Sequence, residues 1–489
     1  VSETETPGRR LLVGPFNRVE GDLEVTLDIA DGAVRSARVN APLYRGFEQI
    51  LQGKAPLDAL VFAPRICGIC SVSQSVAAAQ ALADAMGLQA PPNGRLAANL
   101  LLANENLADH ITHFYLFFMP DFARAEYAGR PWHAAAVERF KAGSGSASRD
   151  ILRGRADFLG LMGILAGKWP HSQALQPGGS TRALQGSEKV RLLLLLREFR
   201  ALLERLLFGD SLEAIAALDS RAALQAWQAA RPAGASDFRL FLEIADDLGL
   251  MRLGRASDIF LSYGNYPEAE GRLLPAGVWD GGLQPFDQAE IGEDLSHAWL
   301  AGEGAARHPA EGATLPLPDK AGAYSWCKAP RLAGRVVETG ALARQLIAGQ
   351  PLAGDLVASG GGNVYARVVM RLVETARVLI EMERWCREIT LGEPFCHGAT
   401  LPEEGQGRGL VEAARGSLGH WLSIRRGRIH NYQIVAPTTW NFSPRDAAGT
   451  PGALEQALVG APVGEGEQTP LAVQHIVRSF DPCMVCTVH

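Results

Sequence analysis

The sequence predicts an α+β fold, mainly helical. Long buried helices form its core, small antiparallel β hairpins lie at the periphery, and the N- and C-terminal segments meet at a buried metal site. Three observations predict this. Two C-x-x-C pairs, Cys67-Gly68-Ile69-Cys70 and Cys483-Met484-Val485-Cys486, stand near opposite ends of the 489-residue chain, so a shared site requires the ends to converge. Apolar residues recur at helical spacing over long stretches. Alternation of apolar and polar residues, the mark of a half-buried strand, is confined to short segments near the two ends.

Taken in order, residues 1–10 are polar and expected to be flexible. From Leu11 to Val39, Leu23, Val25, Leu27 and Ile29 alternate with Glu24, Thr26 and Asp28, and Asp31-Gly32 offers a tight hairpin turn. Asn17 to Asp22 reads as an exposed charged turn. Ser71 to Met86 is a strong helix former with a serine available as N-cap, which places the first cysteine pair in a turn opening a helix, where the dipole favours thiolate. Gly68 is expected to let that turn fold tightly. A helix from Arg95 to Met119 is apolar enough to be buried, so His110 and His113 read as hydrogen-bonded core residues. Further long helices are expected over Ser187 to Phe208 and Asn363 to Ile389, with irregular structure and small strands from Arg252 to Pro318. A second hairpin joins Leu422–Ile424 to Ile429–Val435 through Arg426-Gly427, and a last helix runs from Pro451 to Leu458. The length would allow two or three domains, but paired motifs at both ends argue for one intertwined domain over residues 1–489.

Composition excludes several classes. The net charge of −6 gives no reason to expect nucleic acid. No run of eighteen uncharged apolar residues occurs and the first ten residues lack a signal peptide's apolar stretch, so neither membrane insertion nor an export signal is expected, and the placement expected is cytoplasmic. Seven cysteines do not suggest a disulfide scaffold, and Cys327, Cys386 and Cys396 read as small buried hydrophobes. Four thiolates at one centre select zinc, an iron-sulfur cluster or a thiophilic metal such as nickel. A structural zinc usually organises a small domain from closely spaced pairs, whereas these pairs stand more than four hundred positions apart.

The pairs Arg65-x-Cys67-Gly68-x-Cys70 and Asp481-Pro482-Cys483-x-x-Cys486-x-x-His489 resemble the two signature motifs of the nickel-iron hydrogenase large subunit. The likeness extends through Arg18-Val19-Glu20-Gly21, Tyr44 to Glu48, His113-Phe114-Tyr115, Glu412 to Trp421 and Pro437 to Asn441, and is strongest to the regulatory, hydrogen-sensing branch. The resemblance implies that Cys67, Cys70, Cys483 and Cys486 bind nickel, that Cys70 and Cys486 also bridge to an iron carrying cyanide and carbon monoxide, and that dihydrogen is cleaved heterolytically. It implies proton relay by Glu20, with Cys486 as first proton acceptor, and a diatomic-ligand pocket of Arg415 and Thr438 with Asp121 and Asp481 around the arginine. It implies a magnesium held by Glu48 and His489. Ile69 and Phe117, bulkier than the valine and leucine common in catalytic members, imply a narrowed gas channel and oxygen tolerance.

The two electrons released need iron-sulfur clusters. The chain has no further cysteine set, so the clusters must belong to a small subunit, giving a heterodimer or a dimer of heterodimers; the sensing branch adds a histidine kinase as partner. The sequence departs from the family at Asp22, Ala414 and Phe118, where a histidine, a proline and a histidine are usual. Two other readings stand beside the sensor: an uptake hydrogenase large subunit feeding a quinone chain, and a scaffold with structural zinc.

Overall fold

Alternation from Leu23 to Ile29 builds the first sheet. In the computed structural model, which describes residues 9–302 and 306–489, strands β1 (Arg9–Val13), β2 (Glu24–Ala30) and β3 (Ala33–Asn40) pair antiparallel in that order. Val25, Leu27 and Ile29 are buried while their alternate neighbours are half exposed. Asp31 and Gly32 both take positive φ (53° and 70°), the geometry that lets a two-residue turn follow the strand twist. Of the segment expected to be flexible, residues 1–8 lie outside the described residues, but Arg9 and Arg10 are already strand, paired with Ile29 and Asp28.

The short helix α1 (Phe47–Leu51) leads to α2 (Ser71–Met86) and the 21-residue α3 (Pro92–Thr112), which begins at a proline suited to a first helical turn. The helix expected to run regularly to Met119 instead widens into a π-helical turn at His113–Phe118, changing the register of every side chain after His113. Helix α4 (Gly186–Leu202) also ends in a π turn, Leu203–Phe208, and so covers the long helix expected over Ser187 to Phe208; Leu192, Leu196 and Phe199 are its buried side while Val190 and Leu194 face outward. The stretch expected to hold irregular structure with small strands contains a longer, well-formed hairpin, β4 (Phe260–Pro267) with β5 (Arg272–Trp279). Seven of the eight β4 residues are buried, so the strand lacks the alternation that reveals a half-buried one.

Helices α5 (Ala341–Ile347) and α6 (Val364–Glu388) come next, the latter capped by the Asn363 side chain, which accepts from the Ala366 amide at 2.9 Å. Strands β6 (Gly405–Ala413), β7 (Gly416–Arg425) and β8 (Arg428–Val435) form a second antiparallel sheet, so the Glu412–Trp421 motif is itself a hairpin with Ala414 and Arg415 at its tip. Gly407 and Gly409 let β6 lie directly on α2: a Cβ on either would stand about 2 Å from the Ala81 or Ala77 carbonyl oxygen. That close approach fixes the start of α2 relative to the end of β6.

The chain then passes through α7 (Pro437–Asn441), α8 (Ala453–Leu458), α9 (Leu471–Ser479) and a final turn, α10 (Met484–Thr487). The C-terminal region folds back on the first sheet: the Val34 amide donates to Ala461 O and that of Val463 to Gly32 O. The principal core includes both Leu11 and Val488.

Candidate metal centre

Cys67 follows the 3-10 turn Ala63–Ile66 and Cys70 is the N-cap residue of α2, with Ser71 one place inside the helix rather than capping it. The cap comes from another element. The Glu105 carboxylate of α3 accepts from the Val72 and Ser73 amides, both at 2.8 Å, and from Trp169 Nε1 at 3.1 Å. Burial pushes the Glu105 carboxyl up to about 7 despite these donors. Gly68 has no positive φ and a Cβ there would meet nothing within 4 Å, so the turn does not require glycine as expected. Arg45 donates to the carbonyl oxygens of Ile66 (2.6 Å) and Val485, each the residue before a cysteine, so one guanidinium ties the two pairs together.

Because Glu105 is raised in the fold from 4.5, its neutral form is favoured there, and its contribution to stability is present below about pH 4.5 and lost as pH rises through 7. Glu105→Gln is expected to remove about 3 kcal/mol of stability loss between pH 5 and pH 8, read as a flatter dependence of the unfolding midpoint on pH; the same slope in both proteins would refute it.

The C-terminal pair is placed by backbone bonds. Met484 N donates to Glu20 O (2.7 Å) and Glu20 N to Pro482 O (3.4 Å), a parallel bridge that sets the relay candidate beside Cys483. The Cys483 amide donates to Thr438 Oγ1 at 3.2 Å, and Thr439 Oγ1 to Thr487 O at 3.2 Å. The result is one cluster. Cys67 and Cys483 sulfurs lie 3.4 Å apart, Cys70 and Cys486 2.9 Å, Cys483 and Cys486 3.1 Å, all four buried and within 4.8 Å of one another. Four soft sulfurs converging on one point fit a thiophilic metal. Cys327 and Cys386 are buried singly, as expected; Cys396 is exposed, not buried.

Above the cluster, Arg415 is buried and donates to Asp109 (3.0 Å) and Asp481 (3.2 Å). Burial disfavours its charge, but Asp481, Asp109 and the thiolates keep it protonated. Asp121, expected here, is elsewhere: its carboxylate pairs with Arg478 (2.8 Å), Arg124 (3.0 Å) and Arg18. The acid that replaces it, Asp109, stands on α3 before the π turn; its place in Asp109-His110 of a buried helix was the available signal. Asp481 holds φ +58°, a strained conformation at the entry to the ligand motif.

Half-buried Glu20 is raised by burial and by the charge on Cys67, against the pull of Arg415 and Arg45. Cys486, expected as first proton acceptor, lies 2.9 Å from Cys70 and 3.1 Å from Cys483; the Glu20 backbone bridges to Cys483, and the charge on Cys67 acts on the Glu20 carboxyl. His113 and His110 are core histidines as expected, bonded to Arg478 O (2.7 Å) and Glu374 (3.0 Å). Ile69 packs on the core from a half-buried position. Phe117 is also half-buried, in the π turn, and its carbonyl accepts from Arg18 at 3.2 Å.

Glu48 and His489 meet as expected, Nε2 to Oε1 at 3.2 Å. The His489 Nδ1 faces Cys486 O at 3.0 Å, which can only accept, so the neutral ring turns its Nε2 lone pair toward the carboxylate. A cation bound by both satisfies that pairing. Behind them lie Lys328 Nζ, 3.0 Å from Glu48 and 2.9 Å from Gln433 Oε1, and Glu293, whose Oε1 pairs with the same ammonium at 3.4 Å. Burial opposes ionisation of Glu48, but chiefly the Lys328 ammonium holds it low, at about 2. A cavity of about 10 Å³ lies among Glu48, Thr314, Lys328 and His489. The oxygen-rich donor set fits magnesium. Sequence reasoning missed Lys328 and Glu293, lone charges in a stretch without motifs.

Comparison with known proteins agrees with this centre. A family model described as nickel-dependent hydrogenase matches residues 45–136 and 150–489. The chain is 29% identical to the periplasmic [NiFeSe] hydrogenase large subunit of Desulfomicrobium baculatum, covering 100% of this chain and 97% of that one. It is 27% identical to the uptake hydrogenase large subunit of Cupriavidus necator, covering 99% and 95%. The fold matches the Ni-Fe-Se hydrogenase of D. vulgaris Hildenborough with a TM-score of 0.83 at 30% identity, over 99% of this chain and 100% of that one. With its four cysteines converging where two distant motifs meet, the chain belongs to the nickel-dependent hydrogenase family, as a large subunit that activates dihydrogen at a nickel-iron site.

Proposed function

We propose that this chain is the hydrogen-activating subunit of a cytoplasmic, oxygen-insensitive hydrogen sensor. The observation that supports hydrogen splitting is the half-buried Glu20, joined by its backbone to Cys483. When loaded, the nickel-iron centre supplies the Lewis acidity for heterolytic cleavage of dihydrogen. Glu20 accepts the proton from the sulfur side and passes it outward. Arg415 and Thr438 would hold the cyanide and carbon monoxide on iron, and Glu48 and His489 would hold magnesium. Electrons would leave through iron-sulfur clusters held by a small subunit, since Cys327, Cys386 and Cys396 of this chain are scattered. Metal analysis with infrared spectroscopy tests the centre: cyanide and carbonyl stretches cannot arise from structural zinc, and their absence from nickel-loaded protein would refute it.

The sensing role is supported by the bulk of Ile69 and Phe117. A side chain one methylene larger and a ring would narrow an apolar passage running between them, and close-packed surroundings do not absorb such a change freely. Ile69→Val with Phe117→Leu is expected to leave the infrared spectrum intact but make activity decay under oxygen, with faster gas exchange. A double variant as oxygen-resistant as the parent places tolerance elsewhere. The relatives named uptake hydrogenases favour the other reading, electron delivery to quinones. Slow turnover and a complex with a histidine kinase support sensing; rapid quinone reduction supports uptake.

A further inference from the structure

Arg415 hangs from the tip of a buried hairpin, and little at the tip itself fixes its direction. Ala413 pairs with Gly416, leaving Ala414 and Arg415 as a two-residue turn in which neither has positive φ. The turns that match the natural twist of a hairpin need positive φ at the first central residue, so this tip lacks that local preference. Two carboxylates hold the far end of the Arg415 side chain, at 3.0 and 3.2 Å, while its buried Nε has no partner, so where the guanidinium sits depends on where the hairpin tip is placed.

The tip is held from outside. The Glu412 carbonyl accepts from Asn106 (3.2 Å) and Asn265 (2.9 Å). The next two carbonyls go to one residue of α5: Arg344 Nη1 donates to Ala413 O at 2.8 Å and Nη2 to Ala414 O at 2.9 Å. Arg344 is itself immobilised. Its remaining donors reach Glu374 (Nε to Oε2, 3.0 Å; Nη2 to Oε1, 2.6 Å) and Glu412 Oε2 (2.9 Å), so all five N–H groups are matched. Glu374 is in turn fixed by Gln345 (2.9 Å) and His110 (3.0 Å). Arg344 is fully buried and makes none of its bonds with a cysteine, so it cannot act on substrate directly.

We propose that Arg344 is a positioning residue that sets the Arg415 guanidinium over the metal centre by clamping the two carbonyls before it. The proposal rests on the reading of Arg415 as the cation of that centre. If Arg344 served only to neutralise Glu374 and Glu412, any buried cation would do.

Arg344→Lys separates the two, because an ammonium keeps the charge but not the planar fork. In the nickel-loaded heterodimer, Arg344→Lys is expected to fold and retain nickel, with a lower thermal midpoint because buried acceptors lose donors, yet slow hydrogen-deuterium exchange about tenfold or more, with the nickel EPR signal displaced as in Arg415→Lys. Ala414→Pro fixes φ near −65° at the first turn position, where no amide bond is lost. Added to Arg344→Lys, it is expected to return rate and signal toward those of Ala414→Pro alone. A native rate and signal in Arg344→Lys overturns the proposal, as does a folded, nickel-replete double variant that is not restored. Arg415→Lys with a native rate and signal overturns the underlying reading of Arg415 and the proposal together.

Discussion

Cys486→Ser is expected to leave a folded protein that is poor in nickel and slower in hydrogen activation by well over a hundredfold, more than changes outside the ligand shell typically cost. The sulfur of Cys486 lies within about 3 Å of two of the other three ligand sulfurs, so its loss weakens the centre rather than one edge of it. A serine hydroxyl is close in size but hard and protonated at neutral pH, and does not replace a soft thiolate. The fold is expected to survive because the principal core extends far beyond the four cysteines, from Leu11 to Val488. Nickel content, circular dichroism and hydrogen-deuterium exchange on one sample decide the matter. Full exchange activity in a folded variant would sink the four-thiolate centre, and unfolding on metal loss would point to a structural zinc.

The four cysteines were legible because ligand spacing is a local signal and convergence came from pairing two such signals. The long helices were legible from apolar periodicity, and the first hairpin from alternation with Asp31-Gly32. The hairpin of Phe260–Trp279 was not, because a strand buried on both faces does not alternate. Phe117 was counted along a regular helix, which the π turn at His113–Phe118 interrupts. Asp121 was placed by the family likeness alone: Arg415 meets Asp109, while Asp121 pairs with Arg478. The charged residues that support the site were illegible for a different reason. Arg344, Glu293 and Lys328 carry no motif, and Lys328 finds Glu48 across 280 positions of sequence. Which buried charge faces which is decided by packing, and single positions do not encode it.

Glu20→Gln is expected to preserve the metals and their spectra while lowering hydrogen-deuterium exchange with solvent by about a hundred- to ten-thousandfold, the usual span for removing a positioned acid-base group. Glu20 is held in place by its backbone rather than its side chain, through the bridge to Pro482 and Met484, so the substitution does not disturb the cysteine pair. The amide matches the carboxyl in size and can accept a hydrogen bond, but it cannot take up and release a proton at working pH. The sign of the pH effect is set by its surroundings. Burial and the Cys67 charge raise the Glu20 pKa above 4.5, more than Arg415 and Arg45 lower it, so in the parent protein the basic form needed to accept a proton is lost as pH falls through that raised value. The Gln variant lacks this limb, and its residual exchange should be flat across the same interval. Glu20→Asp, which keeps the titrating group one methylene shorter, should recover part of the rate and restore the limb. Unchanged exchange in Glu20→Gln would show that the proton leaves by another route, and the buried carboxylates around Glu48 and Glu293 would then be the next to test.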